Sequence, residues 1–151
     1  MALPQAPENI HQPGLTHASS ATILLAEDAE TNIMVISDYL ESFGYRVIVA
    51  RNGQEAIERA EEHNPDIILM DIQMPVLNGL EAMQRLRRMA HFQITPIVAL
   101  TALAMVGDRE RFLAAGANEY LSKPVNLKNL AKVVKELLQK DQELNQNQTE
   151  L

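Results

Sequence analysis

Five short apolar runs, each followed by a stretch with helical periodicity, leave this chain very few folds. The runs lie at about residues 22–26, 46–50, 66–70, 96–100 and 118–121. Most lack polar residues at alternate positions, as in Ile23-Leu24-Leu25-Ala26 and Ile97-Val98-Ala99-Leu100. A strand with one wet face alternates, whereas a strand covered on both faces does not. The spacing predicts a first helix over about 30–43, with Ile33, Ile36, Leu40 and Phe43 on one stripe and Gly44 as its stop. Asn52 with Glu55, and Asn78 with Glu81, have capping-box spacing. They open a second helix burying Ala56, Ile57 and Ala60, and a third burying Leu80, Met83 and Leu86. A fourth helix, about 105–114, is weakened by Gly107. The fifth, about 126–139, carries Leu127, Leu130, Val134 and Leu137 at helical spacing. Five βα units with short connections imply a doubly wound α/β fold: a five-stranded parallel sheet, helices on both faces, right-handed crossovers.

The flanks differ. Residues 1–20 are rich in Pro, Gln, His and small side chains, with Pro4, Pro7, Pro13 and Gly14 against any helix. Residues 140–151 are Gln/Asn/Glu-rich with almost nothing to bury. Both are expected to be linker-like or disordered tails around one domain at 21–139. The 151-residue chain carries a net charge of -7, which argues against a nucleic-acid surface. It has no cysteine, so thiolate metal sites and disulfides are excluded. No apolar run approaches the roughly 20 residues that span a bilayer, and no signal-peptide pattern stands at the start. The expectation is a cytoplasmic protein without membrane contact. His11, His17, His63 and His91 include no pair at metal-ligand spacing, so surface positions are expected.

Chemistry-bearing residues gather at the carboxyl ends of the runs. Glu27-Asp28 follow the first, Asp71 ends the third, Thr101 follows the fourth and Lys123-Pro124 follow the fifth. Open α/β sheets bind ligands at that edge. Three acids, a hydroxyl and a lysine there suit metal-assisted phosphoryl chemistry. Each residue alone has a plainer reading. Asp28 could cap the first helix, Asp71 could serve the turn before Pro75, and Thr101 could be an ordinary strand-end hydroxyl. Lys123 could be solvated, and Tyr120 could be core filling.

Glu27-Asp28, Asp71, Thr101 and Lys123-Pro124, in this order and spacing, resemble the receiver domain of bacterial two-component response regulators. The stretch Ile68-Leu69-Met70-Asp71-Ile72-Gln73-Met74-Pro75, then Asn78-Gly79, is especially similar to receivers of hybrid histidine kinases. The resemblance implies a flavodoxin-like (βα)5 fold with strand order 2-1-3-4-5 and a site at the switch between strands one and three. It implies Asp71 as phosphoacceptor and Mg2+ (or Mn2+) held by Glu27, Asp28, Asp71 and the backbone carbonyl of Gln73. Glu27, one methylene longer than the usual aspartate, is expected to act through a water. Lys123 and Thr101 would contact the phosphoryl oxygens, and Thr101 with Tyr120 would form the switch. The Lys123-Pro124 bond is expected to be cis. Gln73 and Leu103 would flank the path of hydrolytic water, and Ala29 stands where such receivers often carry Asn.

The resemblance further implies a sensor or hybrid histidine kinase as phosphoryl donor and a downstream protein as target. The domain would be a phosphoacceptor with Mg2+-dependent self-phosphorylation and autodephosphorylation, and no conventional enzyme. At about 100° per residue, Met34, Val35 and Asp38 project away from the buried stripe of the first helix, which makes them the expected kinase-docking face. Two other classes stand beside this one. A degenerate receiver would act as a non-phosphorylated interaction module. A haloacid-dehalogenase-type phosphatase also uses a strand-end Asp, but wants a second Asp where this chain has Gln73, and no stretch here fits a cap domain.

Overall fold

The computed structural model describes residues 21–102 and 105–149. The expected tail 1–20 and Leu103 lie outside them. Strands and helices alternate as β1 (Thr22–Ala26), α1 (Glu30–Glu41), β2 (Arg46–Ala50), α2 (Gly53–His63), β3 (Ile67–Asp71), α3 (Gly79–Arg88), β4 (Ile97–Thr101), α4 (Asp108–Ala115), β5 (Glu119–Ser122) and α5 (Leu127–Thr149). All strand pairs are parallel and the sheet order is β2-β1-β3-β4-β5, as expected. In the register, Ala26 lies opposite Met70, Asp71 opposite Leu100, and Thr101 opposite Ser122.

Successive strand side chains point to opposite faces, so an unbroken apolar strand feeds two cores. Leu24, Ile68, Met70 and Ala99 pack with Ala56, Ile57 and Ala60 of α2, Met83 and Leu86 of α3, and Phe112 of α4. Their neighbours Ile23, Leu25, Leu69, Val98 and Leu100 pack with Ile36 and Leu40 of α1 and Leu130, Val134 and Leu138 of α5. Every residue of β3 and β4 is buried.

Asn52 and Asn78 cap α2 and α3 as their spacing predicts, accepting from the amides of Glu55 at 2.8 Å and Glu81 at 2.9 Å. Asn126 does the same for α5, accepting from the Asn129 amide at 3.0 Å.

Some boundaries differ from expectation. Helix α1 stops at Glu41, and Phe43 leaves the stripe for the following turn, set edge-on to Tyr39 with centroids 5.2 Å apart. Leu80 is only partly buried, its place taken by Ala82. Gly107, at φ 90, precedes α4 and starts it at Asp108. The largest correction is α5, which continues through Thr149 where an unstructured tail was expected from 140. Residues 140–149 hold no Gly or Pro, and Lys140, Gln142, Glu143, Leu144, Gln146 and Gln148 are residue types that propagate a helix well, against Asp, Asn and Thr at the other four positions.

At the amino ends of β4 and β5, Arg87 ties the chain together. Its guanidinium donates to the carbonyls of Phe92 (2.6 Å), Thr95 (2.7 Å) and Gly116 (3.0 and 2.8 Å), and to Asn118 Oδ1 (2.9 Å). Burial pushes its pKa below the ordinary arginine value. Because the clamp stands at the sheet edge opposite Asp71, the carboxyl edge is left to chemistry.

Candidate functional site

Strands β1 and β3 are neighbours in space, while β2 follows β1 in sequence on its other side. The loops after β1 and β3 therefore open a crevice at the carboxyl edge. Glu27, one residue past β1, is fully buried, and its own amide donates to Ala50 O at 2.9 Å, which continues the ladder to β2. Asp28, next in line, is exposed. It does not cap α1, whose cap position is Ala29 with no side-chain hydrogen bond. Asp71 is the last residue of β3 and 2% exposed.

The carboxylate oxygens of Glu27, Asp28 and Asp71 lie within 4.8 Å of one another. Three carboxylates at that separation repel, and three protein groups answer. Lys123 donates to Glu27 Oε1 at 2.7 Å and approaches Asp71 Oδ2 at 3.1 Å. The Gln73 amide donates to Asp71 Oδ1 at 3.0 Å, and the Ala29 amide to Glu27 Oε2 at 3.1 Å. The Lys123 amide donates to Thr101 O at 2.8 Å, and the Lys123-Pro124 bond is cis, as expected.

The electrostatics follow from burial. Desolvation raises the Asp71 carboxyl to about 6, against the Gln73 amide and Lys123, which hold it down, with Glu27 adding repulsion. Burial works against the Lys123 ammonium, yet its hydrogen bonds to Glu27 and Asp71 prevail and keep its pKa above the ordinary lysine value. An all-carboxylate, hard-oxygen cluster suits Mg2+ or Mn2+ and not a soft-ligand metal. The donor set thus fits the cation that the family resemblance implies.

Thr101 ends β4 and is buried. Tyr120 of β5 is partly buried and stacks on Phe112 of α4, with centroids 5.5 Å apart and planes at 30°. A cleft of about 520 Å³ adjoins Asp71, lined by Asp28, Gln73, Met74, Asn78 and Arg111 among others. Arg111 had no signal in the sequence, since an arginine on an exposed helix face is ordinary. Met34, Val35 and Asp38 are exposed on α1, as helical spacing predicts. No described helix is long and apolar enough to cross a membrane.

Comparison with known proteins agrees with this geometry. Residues 23–135 match the response regulator receiver domain family. The chain is 40% identical over 117 residues to the polar-differentiation response regulator DivK of Brucella anthropi, covering 78% of this chain and 95% of that one. Among solved structures it resembles the receiver domain of sensor histidine kinase PA1611 from Pseudomonas aeruginosa PAO1, which has a magnesium ion coordinated in the active-site cleft. That match has a TM-score of 0.73 and 41% identity, over 79% of this chain and 98% of the other. The signal receiver domain of a signal transduction histidine kinase from Syntrophus aciditrophicus matches at TM-score 0.74 and 32% identity, over 80% and 92%. With the acid cluster, the lysine and the sheet order all in place, the chain belongs to the response regulator receiver domain family.

Proposed function

We propose that Asp71 accepts a phosphoryl group from the phosphohistidine of a sensor or hybrid histidine kinase, and that the new charge alters which protein the domain binds. The observation that carries this reading is the buried Asp71 carboxylate, ringed by Glu27, Asp28 and Lys123 at the sheet's carboxyl edge. In the transfer, an Asp71 carboxylate oxygen bonds to phosphorus. The donor N–P bond breaks and its electron pair returns to the imidazole. Bound Mg2+ would offset the repulsion between the carboxylates and the phosphoryl oxygens.

The chain's own residues do the rest. Asp28 and Asp71 offer carboxylate oxygens to the cation, and the Gln73 carbonyl offers a third. Glu27, one methylene longer than aspartate and already accepting from Lys123 and the Ala29 amide, acts on the cation through a water. Lys123 swings part of its charge from Glu27 to the phosphoryl oxygens. Thr101 donates to another of those oxygens, and Tyr120 repacks inward from its stack on Phe112, altering the face formed by α4, β5 and α5. Return to the resting state is by hydrolysis of the acyl phosphate.

The docking face for the kinase is α1. Met34 and Val35 are 62% and 46% exposed, and a groove of about 490 Å³ runs beside them between Val35, Ile36, Pro124, Val125 and Leu127, with Lys123 in its wall. A donor helix seated there lies next to the site. Cytoplasmic placement and a domain spanning 21–139 belong to this reading.

The test is labelling with acetyl phosphate and Mg2+, followed by peptide mapping. Asp71→Asn should lose the acid-labile label, and Asp28→Asn should weaken Mg2+ binding. Undiminished label in Asp71→Asn would move the acceptor elsewhere. Beryllofluoride that fails to bind the wild-type protein with Mg2+ would favour a non-phosphorylated interaction module.

A further inference from the structure

The loop from Ile72 to Asn78 carries two groups the site depends on: the Gln73 amide on Asp71 and the Gln73 carbonyl. The Gly79 amide closes its base on Ile72 O at 2.9 Å. Its far end is unusual. Val76 has φ 69, a region β-branched residues rarely enter, and the Leu77 amide donates to Pro75 O at 2.7 Å across it. A tight turn of this kind is strained and holds only where its surroundings enforce it.

The enforcing contact comes from α2. The Gly53 amide, one of the helix's first donors and so without a partner inside the helix, donates to Leu77 O at 2.9 Å. Gly53 is buried, and Leu77 is 8% exposed. A Cβ on Gly53 would sit 2.1 Å from Leu77 O and 2.8 Å from Leu77 C, with backbone as the obstacle. Gly53 is not among the positive-φ glycines, so close approach alone requires glycine here. Asn52 holds this first turn in place by capping the Glu55 amide.

We infer that Gly53 is a positioning residue for the cation site: the amino end of α2 seats the Leu77 carbonyl and thereby holds the Gln73 loop in register with Asp71. This rests on the reading of Asp71 and the Gln73 carbonyl given above. Any side chain at 53 displaces the loop by on the order of 1 Å, and outer partners of metal ligands typically carry about 10–100-fold in affinity.

The test compares Gly53→Ala with Gly116→Ala. Gly116 has φ 122 and packs on Arg87 at the opposite edge, so its substitution also strains the fold. Mg2+ affinity is measured by calorimetry, stability by urea unfolding, and the Gln73 amide by NMR in metal-free protein. Gly53→Ala should bind Mg2+ at least about tenfold more weakly and shift the Gln73 amide resonance. Gly116→Ala should lose stability with Mg2+ affinity near wild type. Equal affinity in Gly53→Ala and wild type overturns the inference alone. A wild-type protein that binds no Mg2+ overturns the functional reading with it. If Gly53→Ala does not fold, Asn52→Ala frays the same turn. It should weaken Mg2+ binding by about threefold or more, and unchanged affinity there overturns the inference too.

Discussion

Lys123 holds together charges that would otherwise drive the site apart. In Lys123→Met, the contacts at 2.7 Å to Glu27 and 3.1 Å to Asp71 vanish and two buried carboxylates face each other. At an effective dielectric of about 20, each contact is worth roughly 5 kcal/mol before solvation. Releasing the half-buried ammonium from its own desolvation offsets much of that, and breaking a buried pair leaves a net loss of about 3–5 kcal/mol. Against a total of roughly 5–15 kcal/mol, that is a large share. In urea it is a midpoint shift of about 2 M. The loss should be largest in metal-free protein at pH 8. It should shrink at pH 5, because Asp71, already titrating at about 6 with the lysine present, can take up a proton. Mg2+ should recover stability at pH 8 by more than it adds to wild type, since bound cation replaces the missing charge. The measurement is urea unfolding of both proteins at pH 5 and 8, with and without Mg2+. A destabilisation identical at both pH values and indifferent to Mg2+ would refute this electrostatic account and leave only lost packing of the lysine stem.

Metal-free wild type should itself lose stability as pH rises from about 4 to 7. Asp71 has a folded pKa of about 6, above its ordinary value of 3.8, so the native state binds the extra proton in that window; a flat urea midpoint for this group, read as the difference from Asp71→Asn, would contradict it. Replacing Met34 with Lys or Val35 with Glu should slow phosphotransfer from the cognate kinase roughly tenfold while acetyl-phosphate labelling stays near wild type. Equal loss with both donors would remove α1 as the docking face. Arg87→Met strips donors from the Phe92, Thr95 and Gly116 carbonyls, so stability should fall by about 2–4 kcal/mol with phospholabelling of the folded protein unchanged. A change below about 0.5 kcal/mol would mean water replaces the clamp.

Local patterns carried most of the architecture. Two-sided burial shows in the bare apolar runs of β3 and β4, and capping spacing marks the starts of α2 and α3. Asp71, Glu27, Asp28 and Lys123 were legible because strand ends are legible, and the parallel sheet does the work of gathering them. What stayed hidden depends on long-range contact. Arg87 reads as one more cation among Arg85, Arg87 and Arg88 at the end of α3, yet its partners lie up to 31 residues away. Gly53 looks like a helix-start residue, and only the approach of Leu77 shows why nothing larger fits. Phe43 followed helical spacing beyond the point where the backbone had turned, and Gln-rich composition at 140–149 read as disorder although it favours helix equally.

The length of α5 has a mechanical consequence. The strands beside it span five residues, about 17 Å, while its 23 residues span about 35 Å. Among its described side chains, Leu130, Val134 and Leu138 sit in the core it shares with β1 and β3, and Asp141 beyond them is still partly buried. The helix backbone runs on from Leu138 to Thr149, a further length of about 16 Å. A tilt of about 10° at the anchored half, small enough for side chains to absorb, would carry the tip through roughly 3 Å. A rearrangement around Thr101 and Tyr120 that barely moves the sheet would therefore be magnified at the far end of this helix, where the displacement is large enough to be felt by another surface.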